Sequence, residues 1–169
     1  MKKIFEIKFI IVKDVDTENL IGEYGYFSVR IDNEYYGIIL EEELEDFTVS
    51  LYDWFISFLR ALEILKTENY VLINDIESFN TWIEIYRDKE ILSISKVLGT
   101  KVGQGGWIRT EKLSNPDYQF WKDKKMLFSD FRTEVLEKSE YYLSEIIKLN
   151  SLQNKNIRNF KKLVEKLKL

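Results

Sequence analysis

Histidine and cysteine are both absent from this 169-residue chain, and the two absences narrow its chemistry. Histidine is the usual general base near neutral pH and the commonest metal ligand. Without it, Ser-His-Asp and Cys-His catalytic arrangements and histidine-based zinc sites are excluded. Without cysteine there is no disulfide, thiol nucleophile or iron–sulfur cluster, which favours a reducing compartment. Only carboxylate chemistry remains for catalysis, as paired acids or with Mg²⁺.

Long apolar runs are missing as well. No run approaches the roughly 20 residues that span a bilayer. The first residues, Met1 to Val12, mix charged and apolar side chains and lack the features of a signal peptide. The net charge of −4 is too small to draw the whole molecule to nucleic acid or anionic lipid. We therefore expect a cytoplasmic protein with no nucleic-acid or membrane partner.

Apolar alternation predicts two groups of strands. The first group covers about 5–11, 27–31 and 36–40, with a tight turn at Asp32-Asn33 because both residues tolerate positive φ. The second group covers about 70–73, 79–85, 90–98 and 107–113, with a turn at Asp88-Lys89. Pro116 should interrupt pairing after the last of these strands, because proline lacks a ladder amide.

Apolar spacings of three and four predict three helices. The first lies at about 51–66, with Ser50 and Asp53 as a capping box. Its apolar stripe consists of Phe47, Leu51, Trp54, Phe55, Phe58, Leu59, Leu62 and Leu65. Two further helices follow, one with Ser129 as its N-cap and one carrying Ile157 to Leu167, joined by residues 150–156.

These elements predict a single α+β domain over 1–169. Its antiparallel sheet is formed by two strand groups split by one helix, and two C-terminal helices pack on one face. Residues 1–115 hold the sheet and the helix at about 51–66, and residues 116–169 form a C-terminal helical part.

The densest acidic run consists of Glu41, Glu42, Glu43, Glu45 and Asp46. Consecutive residues of a turn point in different directions, so these carboxylates are not expected to converge on one metal ion. The run is either a solvated turn or a recognition surface for a basic partner, because clustered carboxylates speed encounter with a positively charged protein.

The glycine-rich stretch Gly99 to Gly106 fits neither the Walker spacing nor G-x-G-x-x-G. A flexible hairpin loop is the favoured interpretation, and a phosphate or ligand cradle is the alternative. The segment Lys148 to Leu169 carries seven basic residues and one acid, which favours the solvated face of a packed helix over a membrane- or RNA-binding one.

Aromatic side chains on the predicted strands form a second candidate surface, and Trp82 and Tyr86 are its leading pair. Tyrosine and tryptophan are enriched in protein interfaces, but aromatic cross-strand pairs also stabilise sheets that bind nothing. Ordinary sheet packing and a binding face therefore both stay open. The full set is Tyr24, Tyr26, Tyr35, Trp82, Tyr86 and Trp107.

The order of elements resembles that of small bacterial immunity proteins that accompany polymorphic toxins, and of their relatives. The likeness rests on the Ser-capped aromatic helix that begins Ser50-Leu51-Tyr52-Asp53-Trp54-Phe55 and on the later segment Phe128-Ser129-Asp130-Phe131-Arg132-Thr133-Glu134-Val135. The resemblance implies a stoichiometric inhibitor that binds a basic toxin domain, without catalysis or cofactor.

We thus expect a non-catalytic protein-binding module that requires no metal or cofactor. Its predicted partner-binding residues are Glu41, Glu42, Glu43, Glu45, Asp46, Trp82 and Tyr86. A carboxylate- or Mg-dependent enzyme and a structural or self-associating protein are the alternatives.

Overall fold

The computed structural model describes residues 3–13, 19–42, 45–101, 106, 108–119 and 121–169, with the backbone alone described at Glu45. Within these ranges the chain divides into two compact units. The first unit comprises residues 1–59 and 133–169, and the second unit comprises residues 60–132. No helix in the described part is long and apolar enough to cross a membrane.

The first unit contains an antiparallel sheet. Its strands are β1 (Phe5–Ile11), β2 (Tyr24–Ile31), β3 (Glu34–Ile38) and β4 (Val49–Ser50), with β2 paired to all three others. The predicted turn at Asp32-Asn33 is confirmed, and Asp32 adopts a positive φ of 54°.

Helix α1 (Leu51–Ile64) follows β4 directly and is confirmed together with its cap. The Ser50 hydroxyl accepts a hydrogen bond from the Asp53 amide at 3.2 Å. The stripe from Leu51 to Leu65 is buried as predicted. Phe47 is the exception. It belongs to a short 3-10 turn at Glu45–Phe47, outside the helix, and its side chain is exposed.

Aromatic rings fill the core of the first unit. Trp54 stacks on Phe27 of β2 with ring centroids 5.1 Å apart, and Phe55 stacks on Tyr142 at 4.8 Å. Phe160 meets the Tyr142 ring edge-on at 5.6 Å. The residues of the first helical turns and of the C-terminal helices therefore share one buried cluster of rings.

Buried or partly buried ion pairs join separate segments of this unit at two places. Arg30 donates two hydrogen bonds to one carboxylate oxygen of Glu6, at 3.1 and 3.0 Å. Burial opposes ionisation of Glu6, but the Arg30 bond and nearby cations outweigh it, so the pKa of Glu6 is lowered. The buried carboxylate of Glu134 accepts from the Ile7 amide at 2.9 Å and from the Lys3 ammonium at 2.8 Å.

The second unit contains an antiparallel sheet of six strands. They are β5 (Tyr70–Asn74), β6 (Thr81–Asp88), β7 (Ile91–Leu98), β8 (Ile108–Arg109), β9 (Asp117–Tyr118) and β10 (Lys124–Leu127). The order is β10-β7-β6-β5-β8, and β9 also pairs with β7. Lys89 takes a positive φ of 54°, as the predicted hairpin requires. Trp107, at the start of the predicted strand 107–113, lies outside the described residues, and only Ile108 and Arg109 of that strand are paired.

Helices α2 (Phe128–Leu149) and α3 (Lys155–Lys168) end the chain. The Asn154 side chain caps α3 by accepting from the amides of Asn156 and Ile157. Ser129, predicted as the cap of α2, instead lies within its first turn. Strand β10 runs straight into the helix, and the Phe128 amide is already satisfied by the Glu90 carbonyl at 2.8 Å. The α+β class is therefore confirmed, with the strand groups forming two separate sheets.

Candidate binding surface

The edge of the first sheet is shaped by a loop that leaves it and returns to it. Strand β1 pairs along one side of β2, from Gly25 to Ile31. Strands β3 and β4 must then both lie on the other side, β3 beside residues 27–31 and β4 beside residues 24 and 25. The segment 39–48 links them, and its residues 43 and 44 lie outside the described residues. No described strand pairs with the outer side of β3.

Gly37 is required at the point where the chain departs from this edge. Its φ is +90°, and a Cβ at this position would lie 2.1 Å from the Phe27 carbonyl oxygen. Any other residue would both strain the backbone and collide with the neighbouring strand. The end of β3 therefore tolerates only glycine at this position.

Three of the predicted acidic residues project from this loop. Glu41, Glu42 and Asp46 are all exposed. The Tyr26 hydroxyl donates a 2.7 Å hydrogen bond to the Glu42 carbonyl, which ties the loop to β2. Glu43 and the side chain of Glu45 lie outside the described residues.

Three apolar side chains accompany these acids, and of the three only Tyr35 belongs to the aromatic surface that the sequence suggested. Tyr35 is 66% exposed, Ile38 53% and Phe47 55%. Tyr35 and Ile38 belong to β3, where the pairing register places them on opposite faces of the sheet, and Phe47 lies at the other end of the loop. We call Tyr35, Ile38, Glu41, Glu42, Asp46 and Phe47 the β3 edge surface. No pattern in the sequence shows which apolar residues are exposed, and the helical periodicity assigned Phe47 to the buried stripe of α1.

Trp82 and Tyr86, the predicted aromatic pair of the second sheet, differ in accessibility. The Trp82 ring is fully buried against Tyr70, Leu72 and Val97, so it presents no surface to a partner. Its indole nitrogen donates to the Gly99 carbonyl at 3.2 Å. The Tyr86 ring is 41% exposed and reachable. The acidic loop belongs to the first unit, and this pair belongs to the second.

A carboxylate holds two tyrosines on the same face of the second sheet. The hydroxyls of Tyr70 and Tyr118 donate to different oxygens of Glu84, each at 2.7 Å. Burial, followed by the bond to Glu84, raises the pKa of Tyr118 to about 12 and moves that of Tyr70 upward. Both phenols are therefore held protonated, as donors rather than as bases.

In the part of the chain that the structure describes, no group of three or more acidic side chains could hold a metal ion. The basic residues of α3 lie on its exposed side, while Ile157, Phe160 and Leu163 are buried. That arrangement is typical of a helix packed on its own domain.

Known proteins offer no assignment for this arrangement. No protein-family model matches the chain, and neither curated proteins nor solved structures give a significant match.

Proposed function

We propose that this chain is a non-catalytic protein-binding module that binds a basic partner through the β3 edge surface. The observation that carries the proposal is the exposure of three large apolar side chains and three acids on β3 and the loop after it, at an edge that no described strand pairs with. Burying such apolar side chains against a partner gains free energy, at about 25 cal/mol per Å² of apolar area removed from water.

The two kinds of side chain have different roles. Aromatic anchors such as Tyr35 and Phe47 supply most of the affinity of protein interfaces when a partner covers them. The carboxylates act before contact, because they raise the rate of encounter with a positively charged surface. They also discourage pairing of the exposed edge with another copy of the chain, since like charges repel.

Within this class we propose an immunity-type inhibitor that neutralises a basic toxin domain by direct binding. The absence of histidine and cysteine supports a stoichiometric role over a catalytic one. The resemblance in element order to immunity proteins supports the same partner chemistry. Such a protein acts by covering a functional surface of the toxin, so an exposed sheet edge suits it.

The test is capture of partners from the source cell, followed by binding kinetics at two salt concentrations. Two variants are compared with the wild type: Tyr35→Ser with Phe47→Ser, and the triple change of Glu41, Glu42 and Glu43 to Gln. Removing three carboxylates should lower the association rate about tenfold at low salt and flatten its salt dependence. The double serine variant should mainly accelerate dissociation, because lost anchors act on the off-rate.

A matched control changes Glu68, Glu77 and Glu90 to Gln, which removes the same charge from exposed positions of the second unit. It should capture the partner at a rate much closer to that of the wild type. If the two triple variants behave alike, or if neither edge variant alters binding, the β3 edge surface is not the interface. Tyr86 is then the next residue to change.

A further inference from the structure

Two adjoining cavities lie in the second unit, where the chain after β7 folds back onto the sheet. The smaller has a volume of about 190 Å³, and its polar lining includes Thr100, Arg109, Lys112, Ser114 and Asn115. The described lining holds two cations and no carboxylate. Hydroxyl and amide groups supply further donors between them.

Aromatic rings hold both cations in place. Arg109 pairs with Leu72 across β8 and β5, and its guanidinium carbon lies 5.6 Å from the centroid of the Trp82 ring. The Lys112 ammonium lies 5.6 Å from the Tyr70 ring and 5.9 Å from the Tyr86 ring. Attraction between a cation and a ring face restrains a long side chain without neutralising it. The smaller cavity is therefore positively charged, and each of its cations lies beside an aromatic ring.

Among the described residues Arg109 forms one ion pair, with Glu111 at 3.8 Å, and the Glu111 side chain is 86% exposed to solvent. A contact of that length in water contributes little. The Glu84 carboxylate lies behind Tyr70, whose hydroxyl donates to it. Lys112 forms no ion pair with any described residue. An anion entering the cavity would find two cations whose charge is still available.

The larger cavity has a volume of about 540 Å³ and shares Gly99, Thr100 and Asn115 with the smaller one. Its lining adds Phe79, Asn80, Leu98, Lys101 and Asp117. The Phe79 ring is 95% exposed, which is unusual for a phenylalanine and leaves both faces open for stacking. The amide and carboxylate groups beside it can hydrogen-bond the polar edge of a planar ring.

We propose that these two cavities bind a small organic phosphate that carries a planar ring, as a nucleotide does. The phosphate lies in the smaller cavity, where the Arg109 fork can hold two of its oxygens and Lys112 supplies a point charge. The ring lies in the larger cavity against Phe79. Side-chain cations, rather than the glycine amides of the 99–106 stretch, provide the recognition. The site is independent of the proposed partner surface.

Calorimetric titration tests this site with inorganic phosphate, with each of the four common ribonucleoside monophosphates, and with adenosine. Ionic strength is matched with chloride throughout. At least one monophosphate should bind about tenfold or more tightly than inorganic phosphate, because the ring adds a second contact. Adenosine should bind more weakly than its monophosphate, because it lacks the charged group.

Four variants assign the contacts. Arg109→Met and Lys112→Met should each weaken monophosphate and inorganic phosphate about tenfold or more, the effect of losing a hydrogen bond to a charged group. Phe79→Ser should weaken the monophosphate alone. Lys66→Met removes an exposed cation elsewhere in the unit, so it should change neither the affinity for the monophosphate nor that for inorganic phosphate.

Lys112 and Phe79 are exposed, so their variants should fold even if Arg109→Met is destabilised through Trp82. The proposal is overturned if no monophosphate and no inorganic phosphate binds saturably at up to about 10 mM, a limit corresponding to under 3 kcal/mol of binding. It is also overturned if Lys112→Met binds as tightly as Lys66→Met, or if every monophosphate binds no more tightly than inorganic phosphate.

Discussion

The two units use aromatic side chains in different ways. In the first unit the rings meet one another, as Trp54 does with Phe27 and Phe55 does with Tyr142. In the second unit the rings meet charges, as Tyr70 does with Glu84 and Trp82 does with Arg109. Both arrangements bury large rings, but only the second depends on the ionisation state of its neighbours.

This difference separates two sources of stability. Ring-on-ring packing depends on buried area and close contact, which pH and salt hardly alter. A ring held by a carboxylate or a cation gains directional bonds, and it loses them when a partner changes charge. The stability of the first unit should therefore fall when its rings are truncated. The stability of the second unit should fall when the groups bound to its rings are titrated or replaced by isosteric residues.

The largest effect should come from Trp54→Ala. The ring stacks on Phe27 and also contacts Tyr36, so its removal leaves a cavity in the first unit. The free energy of unfolding should fall by about 3–5 kcal/mol in denaturant melts. Tyr35→Ala is the matched control, because Tyr35 is an exposed aromatic residue of the first sheet. This substitution should lower the free energy of unfolding by less than about 0.5 kcal/mol. A loss below about 1 kcal/mol for Trp54→Ala would contradict the core assignment.

Glu84→Gln should have a smaller effect that is specific to the second unit. The side chain keeps its shape, but its amide nitrogen cannot accept from one of the two phenols. Losing an acceptor for a buried donor should lower the free energy of unfolding by about 1–3 kcal/mol. Glu90→Gln, at an exposed position near the same sheet, should change it very little. Equal effects for the two variants would show that the Glu84 bonds contribute nothing.

The same phenols should make stability depend on alkaline pH. The pKa values of Tyr70 and Tyr118 are raised in the folded protein by burial and by Glu84, that of Tyr118 to about 12. The folded state therefore holds these protons more tightly than the unfolded state, whose tyrosines titrate near 10. Their contribution is complete below pH 10 and is lost as pH rises from about 10 to 12, by at most about 1.4 kcal/mol per pH unit for each phenol.

Denaturant melts at several pH values between 8 and 12 would measure this loss. The double variant Tyr70→Phe with Tyr118→Phe should be less stable at pH 8 and lose stability less steeply above pH 10. Other groups contribute to the slope, since the Glu134 bond also raises the pKa of Lys3. The comparison therefore rests on the difference in slope. Parallel curves would contradict the role assigned to Glu84.

The smallest effect should come from the acidic loop. Changing Glu41, Glu42 and Glu43 to Gln removes solvated charges that repel one another, so the free energy of unfolding should stay within about 0.5 kcal/mol of the wild type or rise slightly. A larger loss would show that the loop helps to hold the first sheet together. It would also weaken the case for a surface reserved for a partner.

The sequence predicts local features of this chain well. The apolar stripe, the Ser50 cap and the positive φ of Asp32 each depend on neighbours within a few residues, and each is confirmed. Periodicity alone assigns every apolar residue to a buried face, so it placed Phe47 on a helix and Phe79 on a strand, although both are exposed. Exposure depends on what covers a residue, and that is not a local property.

Non-local pairing explains the other differences. Strands β9 and β10 have two and four residues, too short for an alternating pattern, and exist because β7 offers its edge. Arg109 and Lys112 reach the rings of Tyr70, Trp82 and Tyr86 from a distant segment, so no spacing in the sequence reveals the cationic cavity. The acidic run and Tyr35 were identifiable from the sequence, but the exposure of Ile38 and Phe47 was not.

The loop between β3 and β4 begins and ends at neighbouring points of one sheet edge. Its length therefore does not determine where either strand lies. Doubling a flexible loop costs only about 0.6 kcal/mol in closure entropy. The sequence and the length of this loop can thus change while Gly37 and the hydrogen bond from the Tyr26 hydroxyl stay the same. The first sheet can therefore tolerate changes in this loop while the fold stays the same.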